Sequence, residues 1–160
     1  MDTIRTCLRS CPWIPTLLVL LSVAAILAPL ARAADSTNMK TLSPEELVHV
    51  LAGKTAKPLL FHVGSYMFYV QAHIPGSEYL GAGNTVEGIQ RLRQRVSSLP
   101  KNADIVIYCG CCPWSHCPNV NPAYETLQQM GFNNVKVLYM ANNFGADWVD
   151  KGYPVARGEK

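Results

Sequence analysis

The chain has 160 residues, of which 49% are apolar and 16% charged, with a formal net charge of +3 and six cysteines. That balance fits one globular domain and excludes a disordered or collagen-like chain.

Residues 1–33 read as a secretory signal. Arg5 and Arg9 give a positive start, "LLVLLSVAAILA" (Leu17 to Ala28) is a short apolar run, and "ARA" (Ala31 to Ala33) is a small-residue cleavage site before Ala34. An uncleaved anchor is the competing reading, since the apolar zone from Trp13 to Leu30 approaches bilayer-spanning length. Cleavage removes Cys7 and Cys11. It also takes three of the 14 basic residues (Arg5, Arg9, Arg32) and one of the 11 acidic ones (Asp2), leaving a net charge near +1. That is no footprint for nucleic acid or an anionic membrane, so membrane contact is expected only through an uncleaved leader. Export to the periplasm or medium permits disulfides.

Residues 34–40 form a polar lead-in to a single domain at 41–160. "SPEELVHVLAG" predicts a first helix, with Ser43 as N-cap, Pro44 in the first turn, Glu46 completing a capping box and Gly53 as the stop. "PLLFHV" (Pro58 to Val63), "DIVIYC" (Asp104 to Cys109) and "VKVLYM" (Val135 to Met140) are apolar runs of strand length, as in a parallel sheet covered on both faces. Between them, Val86, Ile89, Leu92, Val96 and Leu99 recur at helical spacing after a cap at Asn84 and before Pro100. A further helix is predicted with Asn121 as cap, Pro122 at its start, a stripe of Ala123, Tyr124, Leu127 and Met130, and Gly131 closing it. A short last helix falls in "FGADWVDKG". Strands alternating with helices define an α/β domain, and ligand sites of such sheets lie where strands pass into helices.

Cys109 ends a strand at that place, and "GCCPWSHCPN" (Gly110 to Asn119) follows it. A thiol reacts as thiolate, and inward backbone N–H groups at a helix start favour the charged form. Three chemistries suit four cysteines within nine residues. Cys109 can carry a transferable sulfur, with Cys111, Cys112 and Cys117 shielding or resolving it. Cys109 and Cys112 have the C-x-x-C spacing of a redox pair. Cys109, Cys111, Cys112, Cys117 and His116 can hold a soft ion such as Cu(I) or Zn(II), although zinc knuckles usually come from separated segments. A Cys112–Cys117 clasp across a loop containing Pro113 and Pro118 is the plain structural alternative.

Five segments, in order, resemble the rhodanese-like sulfurtransferase domain. They are "PLLFHV"; "AHIPGSEYL" (Ala72 to Leu80); "LPKNADIVIYC" (Leu99 to Cys109); "LQQMGFNNVKVL" (Leu127 to Leu138); and "WVDKGYPVARG" (Trp148 to Gly158). The resemblance spans about residues 41 to 158. It implies a three-layer α/β domain with a central five-stranded parallel sheet flanked by helices. It also implies a Cys109 persulfide that accepts sulfane sulfur from a small donor and gives it to a thiol-bearing acceptor, which can be a protein. No cofactor is expected. The active-site loop is then Gly110, Cys111, Cys112, Trp114, Ser115, His116 and Cys117. It departs from the family in its length and in holding neither Arg nor Lys. "HVG" (His62 to Gly64) also replaces the family's Asp-Val-Arg.

The remaining histidines divide by position. His73 is expected to fix a turn, His49 to sit on the surface or cap its helix and His62 to be a core residue unless it faces the loop, while His116, within the loop, is the best placed of them to act as base or ligand. Trp148 and Tyr153 are expected to pack the last helix onto the core, and Arg91 to Arg95 to form a solvated helix face.

Overall fold

The structure is a computed structural model and describes residues 39–158. The signal segment of the sequence reading lies outside the described residues. Five strands, β1 (Thr41–Leu42), β2 (Leu59–His62), β3 (Glu78–Tyr79), β4 (Ile105–Tyr108) and β5 (Val135–Leu138), make one sheet in the order β1-β5-β4-β2-β3. Every pairing in it is parallel. The expected architecture is therefore observed. The edge strands β1 and β3 have two residues each, too few for any periodicity to reveal them.

Alternation along β4 sends Ile105 and Ile107 to one face and Val106 and Tyr108 to the other, and all four are buried. The first face packs with Phe61, Val137 and the helices α3 (Val86–Val96) and α4 (Val120–Gln129), through Leu92, Val96, Ala123 and Leu127. The second packs with Leu47 of α1 (Pro44–Ala52) and with Trp148. Trp148 sits in a π-helical turn, Gly145–Val149, whose Asp150 N–H reaches Gly145 O at 2.8 Å. This is the short last helix of the sequence. Trp148 donates to Pro154 O at 2.8 Å and meets Tyr153 edge-on, so both aromatics pack this turn onto the core as expected.

The helix starts differ from expectation in two places. Thr85, not Asn84, caps α3, its Oγ1 accepting from Gly88 N at 3.1 Å. Val86 consequently falls outside the buried stripe and is 68% exposed. Helix α4 begins at Val120, two residues before Pro122, and Asn121 is not its cap. Val120 is a buried core residue, and Pro122 is still within the first turn, where a missing N–H costs no helical bond. The closure at Gly131 is as read. Its φ of +87° carries a Schellman pair, Gly131 N to Gln128 O at 2.9 Å and Phe132 N to Leu127 O at 3.0 Å.

Helix α2 (Tyr66–Gln71) is unforeseen, because "YMFYVQ" is apolar all round and shows no helical stripe. Only its Tyr69 is buried; Tyr66, Met67 and Phe68 face outward. Arg95 also leaves the solvated face expected for its run, forming a two-point ion pair with Glu78 at 2.6 and 2.8 Å. No helix among the described residues is long and apolar enough to cross a membrane.

Candidate active site

The register of the central strands builds the site. His62 of β2 lies opposite Tyr108 of β4, so the residues that follow, Val63 to Gly64 and Cys109, leave the sheet side by side. Val63 N donates to Tyr108 O at 2.8 Å. A Cβ at Gly64 would stand 2.6 Å from Cys109 O and 2.8 Å from Cys109 Sγ. Glycine here is a condition of the thiol's position, and any larger residue would displace it.

Cys109 is buried at the carboxyl edge of the sheet. Its Sγ lies 3.2 Å from Cys111 Sγ and accepts from Asn119 Nδ2 at 3.3 Å. Gly110, with φ +86°, turns the chain back on itself and brings these two cysteines together. Cys111 Sγ in turn lies 3.1 Å from Cys112 Sγ. The sulfurs of Cys109, Cys111 and Cys117 all lie within 4.8 Å of one another. All four loop cysteines are free thiols, so neither the Cys112–Cys117 clasp nor a Cys109–Cys112 disulfide is formed.

The sulfur closest to the helix start is that of Cys117. It receives a hydrogen bond from the Cys109 thiol and the backbone N–H groups of Asn119 and Val120 at the start of α4, which together pull its pKa down from 9.0 to about 6. Cys109 moves the opposite way. Its proton is shared with Cys117 and its burial disfavours charge, so its pKa rises. Within the pair the proton therefore favours Cys109 and the charge favours Cys117. Burial, followed by contact with Cys111, pushes Cys112 up to about 12.

His62 faces the loop. Its Nδ1 accepts from Gly64 N at 3.3 Å, which leaves the ring proton on Nε2, and the ring hydrogen-bonds the Cys109 backbone. Burial holds its pKa near 4, so it is neutral at pH 7. Trp114 to His116 form a single 3-10 turn, and Trp114 N donates to Met140 O at 2.9 Å, tying the loop to the end of β5. Ser115 and His116 are exposed, with Ser115 Oγ 3.0 Å from His116 Nδ1, and His116 is outside the three-sulfur cluster. His49 is exposed on α1. His73 fixes its turn, with Nδ1 2.8 Å from Tyr69 O and its backbone paired with Ala156.

A model of the rhodanese-like domain matches residues 43–141. The chain belongs to the rhodanese-like domain family. No curated protein matches it. Among solved structures it is similar to the rhodanese-like domain of an Anabaena sp. protein, at 23% identity and TM-score 0.55 over 73% of this chain and 78% of that one. It is likewise similar to the BH2092 protein of Bacillus halodurans, at 20% identity and TM-score 0.56 over 74% and 77% of the two chains. These likenesses establish the shared fold.

Within this rhodanese-like domain, a cavity of about 360 Å³ opens beside the loop, lined among others by His62, Phe68, Cys111, Asn143, Phe144 and Arg157. Cys111, not Cys109, is the cysteine on its wall. Arg157 supplies a cation that the loop itself lacks. The tail holds it there through a pair of backbone bonds between His73 and Ala156, both 2.9 Å, and Gly158 N to Val70 O at 2.8 Å. Arg157 Nη1 donates to Gln71 O at 2.9 Å. Arg157 escapes the sequence reading; Asn119 stands in it only where the family's arginine would fall, and Gly64 only as part of a departure, neither with a role. "HVG" drew notice as a departure from the family, but nothing local to Arg157 links it to Cys109.

Proposed function

We propose that the protein is a sulfurtransferase in which Cys109 carries sulfane sulfur as a persulfide. The observation that supports this most directly is the environment of Cys109 Sγ. The sulfur ends the central strand, accepts from Asn119 Nδ2, and receives the Cys111 backbone N–H. A persulfide is more acidic than its parent thiol; those donors hold its inner sulfur in place, and the charge sits one bond further out. Cys117, ionised at the start of α4, accepts the Cys109 proton as the thiol attacks the donor. His62 remains neutral throughout and fixes the loop backbone. The cavity with Arg157 at its wall suits a small anionic sulfur donor, and the outward Tyr66, Met67 and Phe68 suit a protein acceptor. Export through residues 1–33 to the periplasm or medium belongs to the same proposal.

The test is mass. Reduced protein given a sulfane-sulfur donor gains sulfur equivalents, detected on the chain or as released sulfide, and Cys109→Ser gains none while keeping its circular dichroism. Equal uptake by Cys109→Ser would overturn the assignment.

A second reading has its own observation in the three sulfurs within 4.8 Å. Three thiolates at that spacing suit a soft ion such as Cu(I) or Zn(II). Stoichiometric metal that copurifies with the chain and is lost in Cys117→Ser supports it.

A further inference from the structure

The loop contains more thiol than a persulfide carrier uses. Cys111 Sγ stands 3.2 Å from Cys109 Sγ, and it alone of the three clustered cysteines lines the cavity. Gly110 enforces the approach through its left-handed backbone, and a Cβ there would press on Phe144 Cβ at 3.1 Å. Cys117 is also near, but its sulfur is engaged by the N–H groups of Asn119 and Val120 and lies buried at the helix start.

We propose that Cys111 resolves a persulfide on Cys109 within the same chain, releasing the sulfane sulfur as hydrosulfide and leaving a Cys109–Cys111 disulfide. The inference rests on the sulfurtransferase reading above. Two steps balance. First, the donor, a thiosulfonate or persulfide, transfers its sulfane sulfur to Cys109 and departs as sulfinate or thiol. Second, Cys111 Sγ attacks the inner sulfur, Cys109 Sγ. The new bond joins the two Sγ atoms, and the bond from Cys109 Sγ to the outer sulfur breaks. The outer sulfur leaves with that electron pair and takes the Cys111 proton as HS⁻. Sulfane sulfur is reduced by two electrons, and the two cysteine sulfurs are oxidised by one each. The displacement is in line, so the outer sulfur leaves on the side of Cys109 Sγ away from Cys111. One turnover needs no other reagent, and a dithiol reductant returns the pair to thiols for the next. The protein is thereby a sulfide-releasing enzyme as well as a carrier.

The full chain, reduced and desalted without air, is given one equivalent of benzenethiosulfonate, whose by-product is a sulfinate and not sulfide. Wild type is expected to release one sulfide per chain and to end two hydrogens lighter, with Cys109 and Cys111 joined in the peptide map. Cys111→Ser, and Cys111→Ala as a second variant, are expected to keep the added sulfur on Cys109 with sulfide release lost, and circular dichroism checks that they remain folded. Cys117→Ser, which lacks the proton acceptor, is expected to load sulfur more slowly and, once loaded, to release it as sulfide. Wild type that keeps the added sulfur and frees no sulfide would sink the resolving step while leaving the sulfurtransferase reading intact. Sulfur held on Cys109 without release in Cys117→Ser, but not in the Cys111 variants, would give the role to Cys117. Neither uptake nor release by any variant would remove both readings together.

Discussion

Two helices of this domain begin in opposite ways. Helix α1 closes its own end, with Ser43 Oγ accepting from Glu46 N at 3.1 Å and Glu46 Oε2 accepting from Ser43 N at 2.8 Å. Helix α4 has no side-chain cap. The N–H groups of Asn119 and Val120 at its start go to Cys117 sulfur, and the Asn119 side chain goes to Cys109. The first helix satisfies donors at its start with neighbours in sequence, which stabilises it. The second leaves its donors to sulfur, which gives the sheet edge an anion-holding end. A capped start is structural, and an uncapped one beside a thiol is where chemistry can occur.

The contrast can be broken most severely at Gly64. Gly64→Ala drives a methyl into Cys109, and chemical denaturation should show a loss of about 2–3 kcal/mol, with sulfur uptake by Cys109 largely gone. If stability and uptake are both unchanged, Cys109 does not sit against Gly64.

Asn119→Ala should slow sulfur uptake about tenfold, the loss expected for one hydrogen bond to a charged sulfur. It also frees Asn84 N, which donates to Asn119 Oδ1 at 3.3 Å. Stopped-flow measurement of persulfide formation reads the first effect, and an unaltered rate would detach α4 from the reaction.

The thiol pair should leave a mark on the pH dependence of stability under reducing conditions. Cys117 titrates lower folded than its ordinary 9.0, so its contribution is complete above pH 9 and is lost as pH falls towards about 6. Cys109 titrates higher when folded, so its contribution holds below pH 9 and is lost above it. The two place a stability maximum near pH 9. His62, which resists protonation when folded, adds a further loss between pH 6.5 and about 4. Urea unfolding of Cys117→Ser should lack the rise between pH 6 and 9 and keep the His62 limb.

The smallest effect belongs to the ordinary helix start. Ser43→Ala should cost about 1 kcal/mol by thermal or urea unfolding and leave sulfur uptake untouched. A loss of uptake there would blur the distinction between the two starts.

The same contrast separates what could be read from the sequence from what could not. Ser43, Pro44 and Glu46 announce α1 because a capping box is a contact between residues three apart. The start of α4 lies two residues before the place its local signal indicates, for the complementary reason. Asn121 before Pro122 looks like a cap, but burial of Val120 against the sheet extends the helix past it. Tertiary packing outweighs a local signal worth about 1 kcal/mol.

Local pattern by itself determined the three apolar core strands, the Gly131 closure and the delivery of Cys109 to the end of a strand, since each depends on residues within a few positions of one another. The order of motifs likewise identified the rhodanese-like domain. Only the tertiary structure decided which thiols meet, which one bears the charge, why residue 64 has no side chain and that Arg157 reaches the cavity. The parallel pairing of His62 with Tyr108 and the docking of Ala156 on His73 bring together segments far apart in the chain. Proximity created by crossover connections leaves no period or spacing in a sequence.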